Sequence, residues 1–211
     1  MFSREEILIN HIIRDTCPKG YNMSHIPRNT GQRGRDVGII YNNYLDIRVV
    51  SLDSSFSSFG HTEHLLKLCT WIGLIVIYRP PPSSANRLTV AQFLEEFSIF
   101  LEYLVLLSAD VLIIGDFNFR VDDAMHEDAK EFLTLLDNFN LSQHIVEPTH
   151  KYGLTLDLII SKQSASLVNV FLPWISDHSV VQANIMTTKQ RFLKKNVTFR
   201  SIWTCTNTVT T

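Results

Sequence analysis

Val111-Leu112-Ile113-Ile114-Gly115-Asp116-Phe117-Asn118 is the stretch on which the reading of this chain turns. An unbroken aliphatic run describes a strand buried on both faces. The run delivers Asp116 to its C-terminal end. An Asp alone in such a place reads as a turn former or helix cap. Asn118 changes that reading. Two short polar side chains two positions apart point to the same side of an extended segment, so they can address one phosphate together.

Working outward, the segment before this strand is a helix. Thr89 is its N-cap. Val90, Phe93, Leu94, Phe97, Phe100, Leu101, Leu104 and Leu107 recur at helical spacing, and Glu95, Glu96 and Glu102 face out. The phenylalanines read as core. A second amphipathic helix spans about 127–139, with Ala129, Phe132, Leu133, Leu135, Leu136 and Phe139 on one face. Short β-type runs fill the rest: Val37–Tyr41, Leu45–Val50, His64–Cys69, Trp71–Tyr78, His144–Val146, Thr155–Ile160, Leu167–Leu172 and Val180–Ile185. His64–Cys69 and Trp71–Tyr78 pair as a hairpin, and Arg79-Pro80-Pro81-Pro82 ends the second strand. Residues 1–36 are polar and rich in turn formers. The pattern is that of an α/β or α+β layered domain over 1–188, followed by a tail at 189–211 that is basic and then Thr-rich.

The 211 residues are 45% hydrophobic with a net charge of −2, enough to bury one sizeable core. The charge balance argues against a protein that holds nucleic acid mainly through a basic surface. Cys17, Cys69 and Cys205 are odd in number and widely spaced, and read as reduced thiols of an intracellular protein. No secretory leader precedes the first charges, and no apolar stretch reaches the roughly twenty residues needed to cross a bilayer. The expected location is intracellular, nuclear or cytoplasmic, with no membrane partner. The oligomeric state is not written in the sequence.

A second polar group closes the chemistry. Ser176-Asp177-His178 precedes the strand that opens at Val180, and in a loop Asp177 and His178 can converge. Asp157, inside Leu156-Asp157-Leu158-Ile159-Ile160, needs a partner because a lone buried carboxylate costs several kcal/mol. It is either one half of a structural pair or the group that holds His178 in one tautomer. Tyr78 and Arg79 end the most buried strand; Tyr78 can donate to a phosphate and Arg79 can bind one directly. His150, in Pro148-Thr149-His150, is a weak site candidate that reads first as an exposed loop residue. No His-x-x-x-His pair with acidic company suggests a metal site. An Asp, an Asn, a second Asp and a His, each at a strand end, suit metal-assisted phosphodiester cleavage.

In order, Ile77-Tyr78-Arg79-Pro80, Gly115-Asp116-Phe117-Asn118, Glu147-Pro148-Thr149-His150, Thr155-Leu156-Asp157-Leu158-Ile159 and Ser176-Asp177-His178 resemble the endonuclease/exonuclease/phosphatase superfamily. More closely they resemble the endonuclease of LINE-type (non-LTR) retrotransposon polyproteins, over about residues 10–186. The resemblance implies a four-layer sandwich of two β-sheets with helices outside. It implies hydrolysis of DNA phosphodiesters with Mg²⁺ or Mn²⁺. Asp116 would orient or deprotonate the attacking water. Asn118, Tyr78 and His178 would contact the phosphate, Asp157 would partner His178, and Asp177 would lie near the metal. The family's opening Asn strand and its Glu-Thr-Trp strand are absent from these residues; by spacing, that Glu falls just before Met1, with Glu5 and Glu6 poor substitutes. The expectation is a domain truncated at its N-terminus, with a weakly held metal, weak nicking and an incomplete sheet beside the strand that ends at Ile185.

Overall fold

In the computed structural model, described for residues 17–26, 37–50, 56–68, 70–106, 110–123, 125–162, 167–171 and 176–184, Thr89 does cap the first helix. Its Oγ1 accepts the Gln92 N–H at 3.1 Å, and α1 runs Val90–Leu106. Ahead of it lie β1 (Tyr21–Ile26), β2 (Val37–Asn42), β3 (Asp46–Val50), β4 (Gly60–Lys67) and β5 (Trp71–Tyr78). After it come β6 (Asp110–Asp116), α2 (Glu127–Asn138), β7 (Ser142–Gln143), β8 (Asp157–Ser161), β9 (Leu167–Phe171) and β10 (Val180–Asn184).

The central sheet has the order β3-β4-β5-β6-β8-β7. β5 and β6 run parallel, which demands the crossover that α1 supplies; every other pair is antiparallel. Side chains alternate between two cores. Ile75, Ile77, Val111, Ile113, Leu158 and Ile160 face the helices, while Ile72, Leu112 and Ile159 face the other way. This two-sided burial is why β5 and β6 read as unbroken apolar runs. On the second face lie two antiparallel pairs, β1–β2 against β4 and β5, and β9–β10 over β6 and β8. The protein is a mixed α/β domain. Among the described residues no helix covers the outer side of these pairs.

The helix-side core is a cluster of phenylalanines. Phe93, Phe97 and Phe132 stack with centroids 5.3–6.1 Å apart, and Phe117 and Phe119 lie against Phe132 at 5.8 and 5.0 Å. Both residues flanking Asn118 are therefore bolted to the core. Between β5, β6 and β8 on one side and β10 on the other lies a cavity of about 320 Å³, lined by Leu112, Ile114, Val181 and Ala183 and reaching Asp157.

Several expectations are corrected. The turn-rich start contains β1, whose alternating Tyr21, Asn22, Met23 and Ser24 complete a ladder with β2. β4 opens at Gly60 rather than His64, because Phe59 is itself core. The strand expected at His144–Val146 lies earlier, at Ser142–Gln143; Gln143 instead turns the chain, accepting the Ile145 N–H at 2.7 Å. Glu96 does not simply face out. It accepts the N–H and O–H groups of Ser57 and Ser58 at 2.6–2.9 Å and ties the loop before β4 to α1. Cys69, Leu107, Leu172, Ile185, Cys205, Glu5, Glu6 and the tail 189–211 lie outside the described residues.

Gly115 permits the close approach of β6 to β5. Its φ is +147°, and an added Cβ would collide with the Ile77 carbonyl oxygen. Gly115→Ala should therefore lower unfolding stability by about 3 kcal/mol or more, read by urea denaturation. A loss no larger than that of a surface substitution would show that the strand can reseat.

Candidate active site

The ends of β6 and β8 carry the first two groups. Their antiparallel register sets Asp116 directly opposite Asp157, and the parallel register of β5 sets Tyr78 beside Asp116. The third group arrives from the loop before β10. His178 Nδ1 and Asp157 Oδ2 are 2.9 Å apart, so the ring donates Nδ1–H to the carboxylate. Asp116, Asp157 and His178 place one ligand-capable atom each within 4.8 Å of one another.

A single threonine aligns these elements. Thr149 is fully buried, and its Oγ1 accepts the Leu156 and Asp157 N–H groups, each at 3.0 Å. Its carbonyl accepts Ser179 N–H at 2.6 Å, while Lys151 N–H donates to the Asp177 carbonyl at 2.9 Å. The Thr149–Lys151 segment therefore fixes both the start of β8 and the loop that carries His178, through a β-bridge between His150 and His178.

Asn118 does not sit on an extended segment. Its φ is +44°, a conformation that Asn tolerates better than most residues. The turn folds the amide back: its N–H reaches Asp116 Oδ1 at 2.9 Å, and Nδ2 donates to Asp116 Oδ2 and to the Arg79 carbonyl, each at 2.9 Å. Both amide protons are thus engaged inside the protein. Asn118 clamps the Asp116 carboxylate, and the picture of two side chains reaching side by side for one phosphate is replaced.

Arg79 also departs from expectation. It is 2% exposed, beneath the loop rather than at the surface where a phosphate would meet it. Its guanidinium lies 4.7 Å from the Phe93 centroid and 5.3 Å from that of Phe119, and Nη1 donates to the Phe117 and Asn118 carbonyls at 3.2 and 3.0 Å. Burial lowers its pKa to about 10, partly countered by Asp128 and Asp116. Arg79 is a strut under Phe117–Phe119. Its position directly before three prolines gave no sign of this.

Asp177 lies on the His150 side of His178. Its side chain, half exposed, stands 3.6 Å from His150 Nε2 and 3.5 Å from Lys151 Nζ. His150, expected in solvent, has a side chain only 11% exposed and a ring centroid 4.9 Å from that of His178. Sequence reasoning missed Thr149 as a site residue and gave His150 little weight. The Pro-Thr-His segment was visible, but nothing local says that it docks on Ser176-Asp177-His178.

Electrostatics follow from this arrangement. Burial raises the Asp116 pKa; the hydrogen bonds from Asn118 and the charge of His178 pull it down, Asp157 pushes it further up, and the net shift is upward. For His178, burial pulls down, but the Asp157 hydrogen bond and the charges of Asp157, Asp116 and Asp177 outweigh it and leave the imidazolium favoured.

The sequence matches the profile of the Endonuclease/Exonuclease/phosphatase family over residues 5–178. The chain belongs to that family. No curated protein sequence matches it. Solved structures share the fold. A functionally unknown conserved protein from Enterococcus faecalis superposes with a TM-score of 0.61 at 15% identity, over 84% of this chain and 82% of its own. A mannosyl-6-phosphatase from Bacteroides thetaiotaomicron gives 0.56 at 11% identity, over 84% and 82%. The 3′ phosphatase NExo from Neisseria, bound to a product DNA hairpin, gives 0.54 at 15% identity, over 89% and 84%.

In the metal-free protein, an NMR titration should place the His178 pKa above the ordinary 6.5, and Asp157→Asn should bring it down. Because the folded-state value is raised, the stability His178 contributes is fully present below its unfolded value and fades as pH rises through the folded one. An unchanged His178 titration in Asp157→Asn would mean that the pair does not form in solution.

Proposed function

We propose that this family member is a divalent-cation-dependent phosphodiesterase that cuts DNA, as the resemblance to non-LTR retrotransposon endonucleases implies. The supporting observation is the meeting of Asp116, Asp157 and His178 at the ends of strands that are far apart in sequence. The donor set fits a hard or borderline dication. Two partly buried carboxylates face each other; burial, and after it the charge of Asp157, raise the Asp116 pKa, and positive charge between the two carboxylates would relieve both effects. Asp116 and Asp157 would hold Mg²⁺ or Mn²⁺, which when bound offsets the charge on the phosphoryl oxygens.

The chain's own residues supply the rest. Asp116, its pKa raised chiefly by burial and its carboxylate held by Asn118, is placed to orient a water and accept its proton. His178, pinned through Nδ1 by Asp157, turns Nε2 outward and carries the positive charge that a phosphoryl oxygen needs. Tyr78 borders the same point. With a net charge of −2, DNA would be held by these local donors rather than by a basic surface.

A supercoiled-plasmid assay tests this. Nicking that requires Mg²⁺ or Mn²⁺ is expected, and Asp116→Ala or His178→Ala should reduce it by about 100-fold. Release of phosphate from sugar phosphomonoesters without any nicking would shift the assignment to a phosphatase of the same family. A folded protein inert on both would identify a non-catalytic member.

A further inference from the structure

Two polar residues beside His178, His150 and Asp177, are not used by this chemistry. His150, Asp177 and His178 also bring one ligand-capable atom each within 4.8 Å of one another. His178 spends Nδ1 on Asp157, which leaves Nε2 for another ligand. His150 directs Nε2 toward Asp177 Oδ2 at 3.6 Å, a separation too long for a good hydrogen bond. The backbone presets the group: the His150–His178 bridge and the Lys151 N–H to Asp177 carbonyl bond at 2.9 Å hold all three residues on paired segments.

We propose that His150, Asp177 and His178 form a site for a transition-metal dication such as Zn²⁺ or Co²⁺, distinct from the Asp116–Asp157 pair and sharing with the described centre only His178. Two imidazoles and one carboxylate suit borderline metals, whereas Mg²⁺ prefers oxygen ligands. Three protein ligands leave a position open for water. Two contacts must yield. Asp177 releases Lys151 Nζ, 3.5 Å away and on an exposed side chain. The His150 ring proton moves to Nδ1, giving up the Tyr152 N–H contact, which at 3.3 Å is long. The ion would also engage His178 Nε2. On the reading proposed above, that withdraws the group which meets the phosphate, so Zn²⁺ would inhibit where Mg²⁺ activates.

The test needs no turnover. The metal-free full chain is titrated with Co²⁺ alone and followed by visible absorption. One Co²⁺ per chain is expected, with bands of an imidazole-bound ion of low coordination number, displaced by Zn²⁺ and unaffected by excess Mg²⁺. His150→Gln and Asp177→Asn should each weaken binding by about 10-fold or more, while Asp116→Asn should leave it intact. Asp177 is on the surface, so Asp177→Asn keeps the test decisive should His150→Gln fail to fold; melting of the metal-free variants checks this. Loss of binding in Asp116→Asn with retention in Asp177→Asn would put the ion in the other cluster and overturn the proposal, as would folded wild-type protein that binds no Co²⁺. Where nicking is measurable, Zn²⁺ should inhibit it and His150→Gln should relieve the inhibition; the Co²⁺ result stands whether or not the chain cuts DNA.

Discussion

Two carboxylates set opposite each other across a β-ladder are the constraint around which this domain is arranged. Like charges in directly opposed positions destabilise a strand pair, and Asp116 and Asp157 are only partly exposed. The register cannot slip to relieve them. A shift of one residue would turn Ile113, Leu158 and Ile160 out of the helix-side core. The repulsion is therefore held in place by hydrophobic burial, and it is answered locally by Asn118 on Asp116 and His178 on Asp157. A pair kept at such a cost attracts positive charge, which is what phosphoryl chemistry requires.

The supports of this pair are of different kinds. Phe117 and Phe119 anchor the Asn118 turn by burial, and Arg79 ties the carbonyls of that turn from below. Gly115 gives β6 the close approach to β5 that no side chain would allow. Thr149 does for Asp157 and His178 what Arg79 does for Asn118, using one hydroxyl and one carbonyl. Each of these five residues fixes a group that reaches the point where the two carboxylates and His178 meet.

Much of this was legible in the sequence because it depends on local pattern. The two-sided burial of β5 and β6 produces unbroken apolar runs, and the helical period of Phe93, Phe97, Phe100 and Leu104 marks α1. Asp157 stood out because a carboxylate in an apolar strand needs a partner, and the structure supplies His178. What was not legible depends on contacts distant in sequence. Arg79 looks like a surface strand end until α1 and the Asn118 turn close over it. His150 looks like a loop residue until Lys151 pairs with Asp177. Asn118 looks extended because nothing in its neighbours reveals a positive φ. Tyr21–Ile26 was hidden because its strand partner is separated from it by turn-forming residues.

Asp116, Asp157 and His178 act as one electrostatic unit. Carboxyl-carbon NMR of Asp116 across a pH titration of metal-free protein tests it most directly. The wild type should show an Asp116 pKa above the ordinary 3.8, raised further in His178→Gln, where a compensating positive charge is lost. An Asp116 that titrates like a free aspartate, unmoved by the loss of His178, would contradict it.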